Sequence, residues 1–365
     1  MKRQKSRFLG LDIGHHTIKA VEVEGYDRGA WHVTAVGIAP TPADSVADGV
    51  VALPHLLSEA IRNLMRHNNL QARRVVCSVS GPAVHFRPLR LPKMSDNLLR
   101  KAVMFKAREA PMATPLEEMI VEYNVQATDS SATDLDVLLV AAPRAIVDSR
   151  ADVLSDCGLT VEAIDLDGFA LMRALVDFSL NDEDHQQTIA IVSMGHTYTE
   201  FNIVTRGTFS FPRSIPIGGS HFDHTLQNSL GLDAAAVEEM KQMVDLRTLL
   251  SPDPYAPPNS PDQLLRPAMD ELVREITRSI NYYQSQFAEG STDAAVDHVL
   301  LCGGGARMKG IRDYMSARLR MDVQLANPLA PYFSANESPE LDLVRDHAPS
   351  MVSALGLALY GFSSN

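Results

Sequence analysis

Phe8-Leu9-Gly10-Leu11-Asp12-Ile13-Gly14-His15-His16-Thr17-Ile18-Lys19-Ala20-Val21-Glu22-Val23 is the stretch from which the rest of the chain is read. Leu9, Leu11 and Ile13 alternate with Gly10, Asp12 and Gly14, which predicts a buried strand with a carboxylate near its end. Past the Gly14 turn, Ile18, Ala20, Val21 and Val23 resume the apolar pattern as a second strand. The turn between them offers backbone N–H groups, the Thr17 hydroxyl and the Lys19 ammonium. Such a turn can hold a phosphate: N–H groups converge on the oxygens, the lysine neutralises charge, and the carboxylate can hold a metal through water. Taken alone, the stretch is better served by a plain hairpin in which Asp12 caps the turn.

Two later stretches shift that balance. Residues 188–193 read as an apolar strand, 193–199 as a turn, 200–205 as a strand and 208–217 as a third strand. Leu11-Asp12-Ile13-Gly14-His15-His16-Thr17 and Val192-Ser193-Met194-Gly195-His196-Thr197-Tyr198 are both strand–glycine turn–strand units. This internal repeat, faint in identity but clear in pattern, predicts two phosphate-gripping turns on opposite walls of one cleft. The third stretch is Val299-Leu300-Leu301-Cys302, a buried strand running into Gly303-Gly304-Gly305-Ala306, where the backbone can approach a ligand closely.

Around these units the periodicities lay out the remaining elements. Residues 31–38 read as a third strand after a turn at 26–29, and 40–48 as a loop. Val51, Leu53, Leu56, Leu57, Ala60, Ile61, Leu64 and Met65 give a helical period. Strands at 74–80 and 84–91, a helix from Asp96 to Pro111, strands at 119–127 and 136–142 joined by a polar turn at 128–133, and a helix at 145–157 closed by Gly158 follow. This block reads as a small α+β module inserted into a larger fold. A strand at 161–167, a helix at 169–178 and a polar linker at 181–187 end the first half. The second half adds helices at 221–230 and 233–243, a proline-rich exposed loop at 251–261 and a long amphipathic helix at 263–287. A helix at 310–319, a strand at 322–325, a loop at 330–346 and a helix at 350–360 complete it. The predicted domains are residues 1–73 with 163–187 and 346–365; an inserted subdomain at 74–162; 188–220 with 296–345; and a helical subdomain at 221–295.

The bulk composition narrows the function. With 365 residues the chain is long enough for two or more domains, and 45% hydrophobic with 21% charged residues is ordinary for a globular protein. A formal net charge of −12 argues against a general nucleic-acid binder, while leaving room for one bound nucleotide. Three scattered cysteines, Cys77, Cys157 and Cys302, fit reduced thiols in a cytoplasm better than a disulfide framework. The basic start is followed by an apolar run broken by Asp12 and two histidines, unlike a secretory signal. The longest apolar run near the C-terminus, Met351 to Phe362, is far below the ~20 residues of a spanning helix. Direct membrane insertion is therefore not expected.

The three glycine turns in this order resemble the actin-like ATPase superfamily, which includes actin, hexokinase and the division protein FtsA. Asp12, Gly14, Thr17 and Lys19 resemble its first phosphate loop, residues 193–199 its second, and Leu301 to Ala306 with Gly310 its adenosine loop. Within it, the chain is similar over nearly its whole length to the PilM family of type IV pilus assembly. The likeness is carried by Gly10-Leu11-Asp12-Ile13-Gly14, Arg90-Leu91-Pro92-Lys93-Met94, Pro115-Leu116-Glu117-Glu118, Ile215-Pro216-Ile217-Gly218-Gly219, Cys302 to Gly305 and Ala326-Asn327-Pro328. The resemblance implies an α/β, actin-like (ribonuclease H-like) two-domain fold with an inserted small α+β subdomain. It implies ATP or ADP, with Mg, held by Asp12, Gly14, His15, His16, Thr17, Lys19, Gly195, His196, Thr197, Tyr198, Glu238, Lys241, Gly303, Gly304, Gly305 and Met308. Asp12 would hold the metal through water, and Glu238 and Lys241 would reach the ribose and base.

The resemblance further implies a cytoplasmic scaffold, peripheral at the inner membrane. In it, a groove between the first domain and the inserted module takes the tail of a PilN-like membrane protein, alongside other pilus assembly proteins. The alternatives are an active actin-like ATPase or kinase, or an FtsA-like filament former. Departures from the pattern matter here. The second phosphate loop of the superfamily begins with Asp, and this chain has Ser193. A serine hydroxyl is a poor base and a weak Mg²⁺ ligand, so hydrolysis is expected to be weak or absent. The bulky His15, His16 and His196 stand where small residues are usual. They could meet phosphates or, with Asp12, a transition metal, although side chains that merely narrow the site are the plainer expectation.

Overall fold

The computed structural model describes residues 5–26, 30–109, 114–126, 133–179, 182–251, 257, 259–287, 295–329 and 345–363. The turn expected around 27–29, most of the polar turn at 128–133, most of the proline-rich loop and the loop at 330–344 lie outside the described residues.

Strands β1 (Ser6–Ile13), β2 (Thr17–Tyr26) and β3 (Ala30–Pro40) form an antiparallel meander. A two-stranded hairpin of β4 (Val46–Ala47) and β5 (Val50–Val51) follows, where the sequence reads as loop on one side and helix on the other. Helix α1 (Pro54–His67) is buried through Leu57, Ile61, Leu64 and Met65, as its period predicts. Next come β6 (Arg74–Val79), β7 (His85–Pro92), α2 (Asp96–Arg108), β8 (Met119–Val125), β9 (Asp134–Pro143), α3 (Arg144–Asp156), β10 (Thr160–Leu166) and α4 (Asp167–Met172), which continues as a π-helical turn to Asp177. The second half comprises β11 (Thr188–Met194), β12 (Thr199–Thr205), β13 (Thr208–Ile215), α5 (Gly219–Leu230), α6 (Ala234–Met243), α7 (Pro261–Gln284), β14 (His298–Cys302), α8 (Ile311–Leu319), β15 (Val323–Leu325) and α9 (Val352–Ala358).

The internal repeat is realised as two five-stranded sheets of one design, ordered β10-β6-β1-β2-β3 and β13-β12-β11-β14-β15. In each, a three-stranded antiparallel meander is extended from its first strand by two parallel strands. The hairpin registers correspond: Asp12 pairs with Lys19 in the first, and Ser193 with Glu200 in the second. The module between β6 and β10 has its own sheet, β7-β9-β8, packed on α2 through Leu99, Val103, Met119 and Leu139.

The limits of the inserted module need correcting. The strand expected at 74–80 falls inside the inserted subdomain expected at 74–162, but β6 lies in the first sheet between β1 and β10. Helix α3 buries Val153 and Leu154 in the same core as Leu9 and Leu11 of β1. Val75, Val76, Cys77 and Val79 are all buried because β6 is covered on both faces, which suits a central parallel strand. The separately packed part therefore runs from β7 to β9.

Helix α9 covers the other face of the first sheet, with Leu355 and Leu357 meeting Phe8, Val21 and Val23. It crosses β1 so closely that a Cβ on Gly10 would stand 1.9 Å from the Ala354 carbonyl oxygen. Gly10 thus serves packing here, since only a bare backbone fits beneath the helix.

Candidate functional site

The two hairpin turns share one backbone design. In the first, the Gly14 N–H donates to the Thr17 carbonyl at 3.2 Å, and in the second the Gly195 N–H donates to the Tyr198 carbonyl at 2.9 Å. Each is braced by the segment following the third strand of its meander. Thr41 donates its hydroxyl to the Gly14 carbonyl (2.7 Å) and its N–H to that of His16 (3.0 Å). In the second half, the Gly219 and Ser220 N–H groups at the start of α5 donate to the carbonyls of Gly195 and His196, at 3.0 and 2.8 Å.

Between these turns lies a cleft of about 590 Å³. Asp12, Gly14, His15, His16, Thr17, Lys19, Gly195, His196, Thr197, Tyr198, Glu238, Lys241, Gly303, Gly304, Gly305 and Met308, the residues singled out from the sequence, all line it. At the foot of the first hairpin, Lys19 Nζ holds Asp12 Oδ2 at 2.9 Å. Across the cleft, Lys241 of α6 lies 2.7 Å from Asp223 and 2.9 Å from Glu238. Its ammonium is favoured by these partners, and Glu238 is held below the usual carboxylate range chiefly by Lys241 against the opposing effect of burial. The glycine run after β14 begins with Gly303 at φ +85°, where a side-chain carbon would stand 2.5 Å from the Met194 carbonyl oxygen. Its N–H donates to Pro349 at 2.8 Å, tying the run to the segment that leads into α9.

The histidines do not converge on one point. His16 stacks on His196, ring centroids 5.1 Å apart, while His15 stands edge-on to Tyr198 at 6.0 Å. Among the described residues no group of three or more His, Cys, Asp or Glu side chains is placed to hold a metal ion. Burial, and then the Arg150 charge, lowers the His15 pKa.

Among the ionisable residues of the cleft not found from the sequence are Asp167, Glu200 and Arg150. Asp167, the first residue of α4, is only 9% exposed; burial and the neighbouring Asp12 charge push it up to about 7, against a hydrogen bond from Ser353. Glu200 accepts from the Gly81 N–H at 3.1 Å and the Ser214 hydroxyl at 3.0 Å, and burial and then Asp167 push it up to about 7. Arg150, on α3, is buried and donates to the carbonyls of Gly49 and Ile146, and its Nε has no hydrogen-bond partner among the described residues. A carboxylate that opens a helix directly after a strand was the available signal for Asp167. Glu200 could have been found as the register partner of Ser193.

The arrangement is that of a polyanion site. The Gly14 and Gly195 turns and the Lys19 and Lys241 ammoniums line the gap beside carboxylates, a set of groups that can meet phosphate oxygens, water or a cation. Asp12 and Asp167 come from the first half and Glu200 from the second, so such a ligand would touch both.

The family model described as type IV pilus assembly protein PilM matches residues 10–362. A solved PilM–PilN type IV pilus biogenesis complex contains a chain similar at 25% identity, with 98% of each chain covered and a TM-score of 0.80. The ethanolamine utilization protein EutJ from Carboxydothermus hydrogenoformans shares 15% identity over 98% of this chain and 90% of its own, TM-score 0.57. MreB5 of Spiroplasma citri, solved bound to ADP, shares 14% over 96% of this chain and 94% of its own, TM-score 0.51. The fold is actin-like, as the paired sheets indicate.

Proposed function

The chain belongs to the PilM family of type IV pilus assembly proteins, and on that premise we propose that it is a nucleotide-holding scaffold at the cytoplasmic face of the inner membrane, docking the tail of a PilN-like protein. The observation that carries this reading is the similarity, over 98% of both chains, to a protein solved in a PilM–PilN complex. A second cavity of about 690 Å³ supports it. This groove runs between the edge strand β8 of the inserted sheet, with Ile120 and Tyr123, and the edge strand β10 with α4, where Ile164, Leu166, Phe169 and Met172 line it. Two exposed sheet edges over an apolar floor suit an extended peptide, whose backbone can pair while its side chains fill pockets. Among the described residues no helix is long and apolar enough to cross a membrane, which fits attachment through that partner.

In the main cleft, ATP or ADP would lie with its phosphates between the Gly14 and Gly195 turns and its base against Gly303–Gly305 and Met308. Lys19 and Lys241 would neutralise charge, and Asp12 would meet Mg²⁺ through water. Such a metal would supply charge neutralisation on the phosphates. The residues fit it loosely, because Lys19 already engages Asp12. With Ser193 in place of a carboxylate, hydrolysis is weak or absent in this reading. Titration of a synthetic N-terminal peptide of the PilN-like partner tests the groove. Saturable binding that Tyr123→Asp weakens at least about tenfold, with thermal stability unchanged, supports it. Binding that is absent, or indifferent to that change, refutes it.

A further inference from the structure

His16 lies on the β1–β2 turn and His196 on the β11–β12 turn, so their stack joins the two halves of the molecule across the mouth of the cleft. The rings are 5.1 Å apart and inclined by 26°. His16 is exposed and His196 partly so, which leaves both within reach of an entering ligand. They bridge the gap in which the N–H groups of the two turns would meet phosphate oxygens.

The charged and titratable groups around the pair come from several elements. His15 shares the first turn, with Asp12 and Lys19 at the foot of that hairpin and Arg150 and Asp48 on the His15 side. Asp223 on α5 approaches His196 Nδ1 at 3.9 Å, beyond hydrogen-bond range, and is engaged by Lys241 of α6 at 2.7 Å. Glu238, also on α6, faces His16. Burial first, and then the adjacent His16, holds the His196 imidazole below its ordinary pKa. The carboxylate nearest His196, Asp223, is engaged by Lys241, and its pull toward a charged ring is outweighed by burial and the adjacent His16.

We propose that the His16–His196 stack is a phosphate-displaced gate: a nucleoside di- or triphosphate entering between the turns separates the rings, which then donate to its oxygens and take up a proton. This rests on reading the cleft as a nucleotide site. A neutral imidazole has one N–H to give and an imidazolium two, and a hydrogen bond from the charged ring to a phosphate is the stronger. The phosphate charge in turn favours the protonated ring. Because binding takes up a proton, affinity is greatest at low pH. It falls as pH rises through the range in which the occupied pair titrates, by about tenfold per pH unit for one proton.

The experiment is calorimetric titration of ADP, and of inorganic pyrophosphate as a base-free probe, at pH 6, 7 and 8 in buffers of different ionisation heat. Wild type is compared with the His16→Asn/His196→Asn double variant and with His16→Asn alone, whose exposed position spares the fold. The ligands' own titration is common to all proteins and cancels in the comparison. The expected result is an uptake of about one proton more by wild type than by the double variant, and an affinity loss from pH 6 to pH 8 steeper by at least about tenfold. His16→Asn should fall between them. Equal proton uptake and equal pH slopes would overturn the gate while leaving the nucleotide reading intact. Wild type that binds neither ADP nor pyrophosphate overturns both.

Discussion

The β1–β2 and β11–β12 hairpins are one backbone unit used twice, and they differ in where they keep their charge. In the first, Asp12 and Lys19 face each other in register and form an ion pair at 2.9 Å. In the second, the corresponding positions hold Ser193 and Glu200. The carboxylate has moved to the opposite strand, the cation is gone, and Glu200 is satisfied instead by the Gly81 N–H and the Ser214 hydroxyl. Strand pairing therefore preserves the cleft whatever the side chains do, while the chemistry at its two walls diverges. One wall is a charge pair able to face a metal-bearing phosphate. The other is a buried acid to which no cation is bonded among the described residues.

The comparison can be broken hardest at the strands themselves. Gly10 corresponds to Ile191, yet a Cβ at Gly10 would clash with α9 at 1.9 Å, while Ile191 is fully buried in its sheet. Gly10→Val should cost more than about 3 kcal/mol and can prevent folding, because backbone must move. Ile191→Ala should lower stability by about 2–5 kcal/mol and still fold. Urea unfolding reads both, and a tolerated Gly10→Val would contradict the packing described.

The next effect is one of pH. Folding raises the Glu200 carboxyl to about 7 from an ordinary 4.5, mainly by burial. The folded state thus binds a proton that the unfolded state releases. The associated stability is present below the unfolded pKa and is lost as pH rises to about 7. Glu200→Gln should gain on wild type between pH 5 and pH 8 by on the order of 2 kcal/mol, measured as the difference in urea unfolding free energy. A constant difference across that range would mean that Glu200 does not carry the effect.

A smaller effect tests the register. Ser193→Asp sets a second carboxylate directly opposite Glu200 and should cost about 1 kcal/mol. Adding Glu200→Lys rebuilds the Asp12–Lys19 arrangement, and the double-mutant cycle should return a favourable coupling of about 0.5–1 kcal/mol. Zero coupling would show that the two hairpins are less alike than their registers. Smallest is the bracing of the turns. Thr41→Val removes the hydroxyl bond to Gly14 and should cost about 0.5–1.5 kcal/mol, whereas Ser220→Ala should change thermal stability little, since its backbone N–H makes the bond.

The hairpins were legible in the sequence because period-2 apolar patterns and glycine turns are local signals. The repeat implied that the two turns would face each other, whereas Glu238, Lys241 and Met308 entered the site only through the resemblance; all of them line one cleft. Sheet membership was not legible in the same way. β6 and β7 both read as strands, but β6 joins β1 by parallel pairing across some sixty residues of chain. The continuous apolar run Val75-Val76-Cys77 against the alternating Arg87 and Arg90 was the one clue that β6 is central and β7 is not. Asp167, Glu200 and Arg150 escaped notice because their meaning comes from burial and neighbours brought by tertiary packing. The histidine stack was hidden for a related reason: facing turns fix the backbone, but ring orientation is set by the packing around it.

The most direct measurement is titration of ATP and ADP by calorimetry, with and without Mg²⁺, beside a phosphate-release assay on the same protein. The account predicts saturable binding of nucleotide with no release above background, and Ser193 as the reason. Steady release of phosphate would contradict it, and would make Asp167 and Glu200 the carboxylates to replace first.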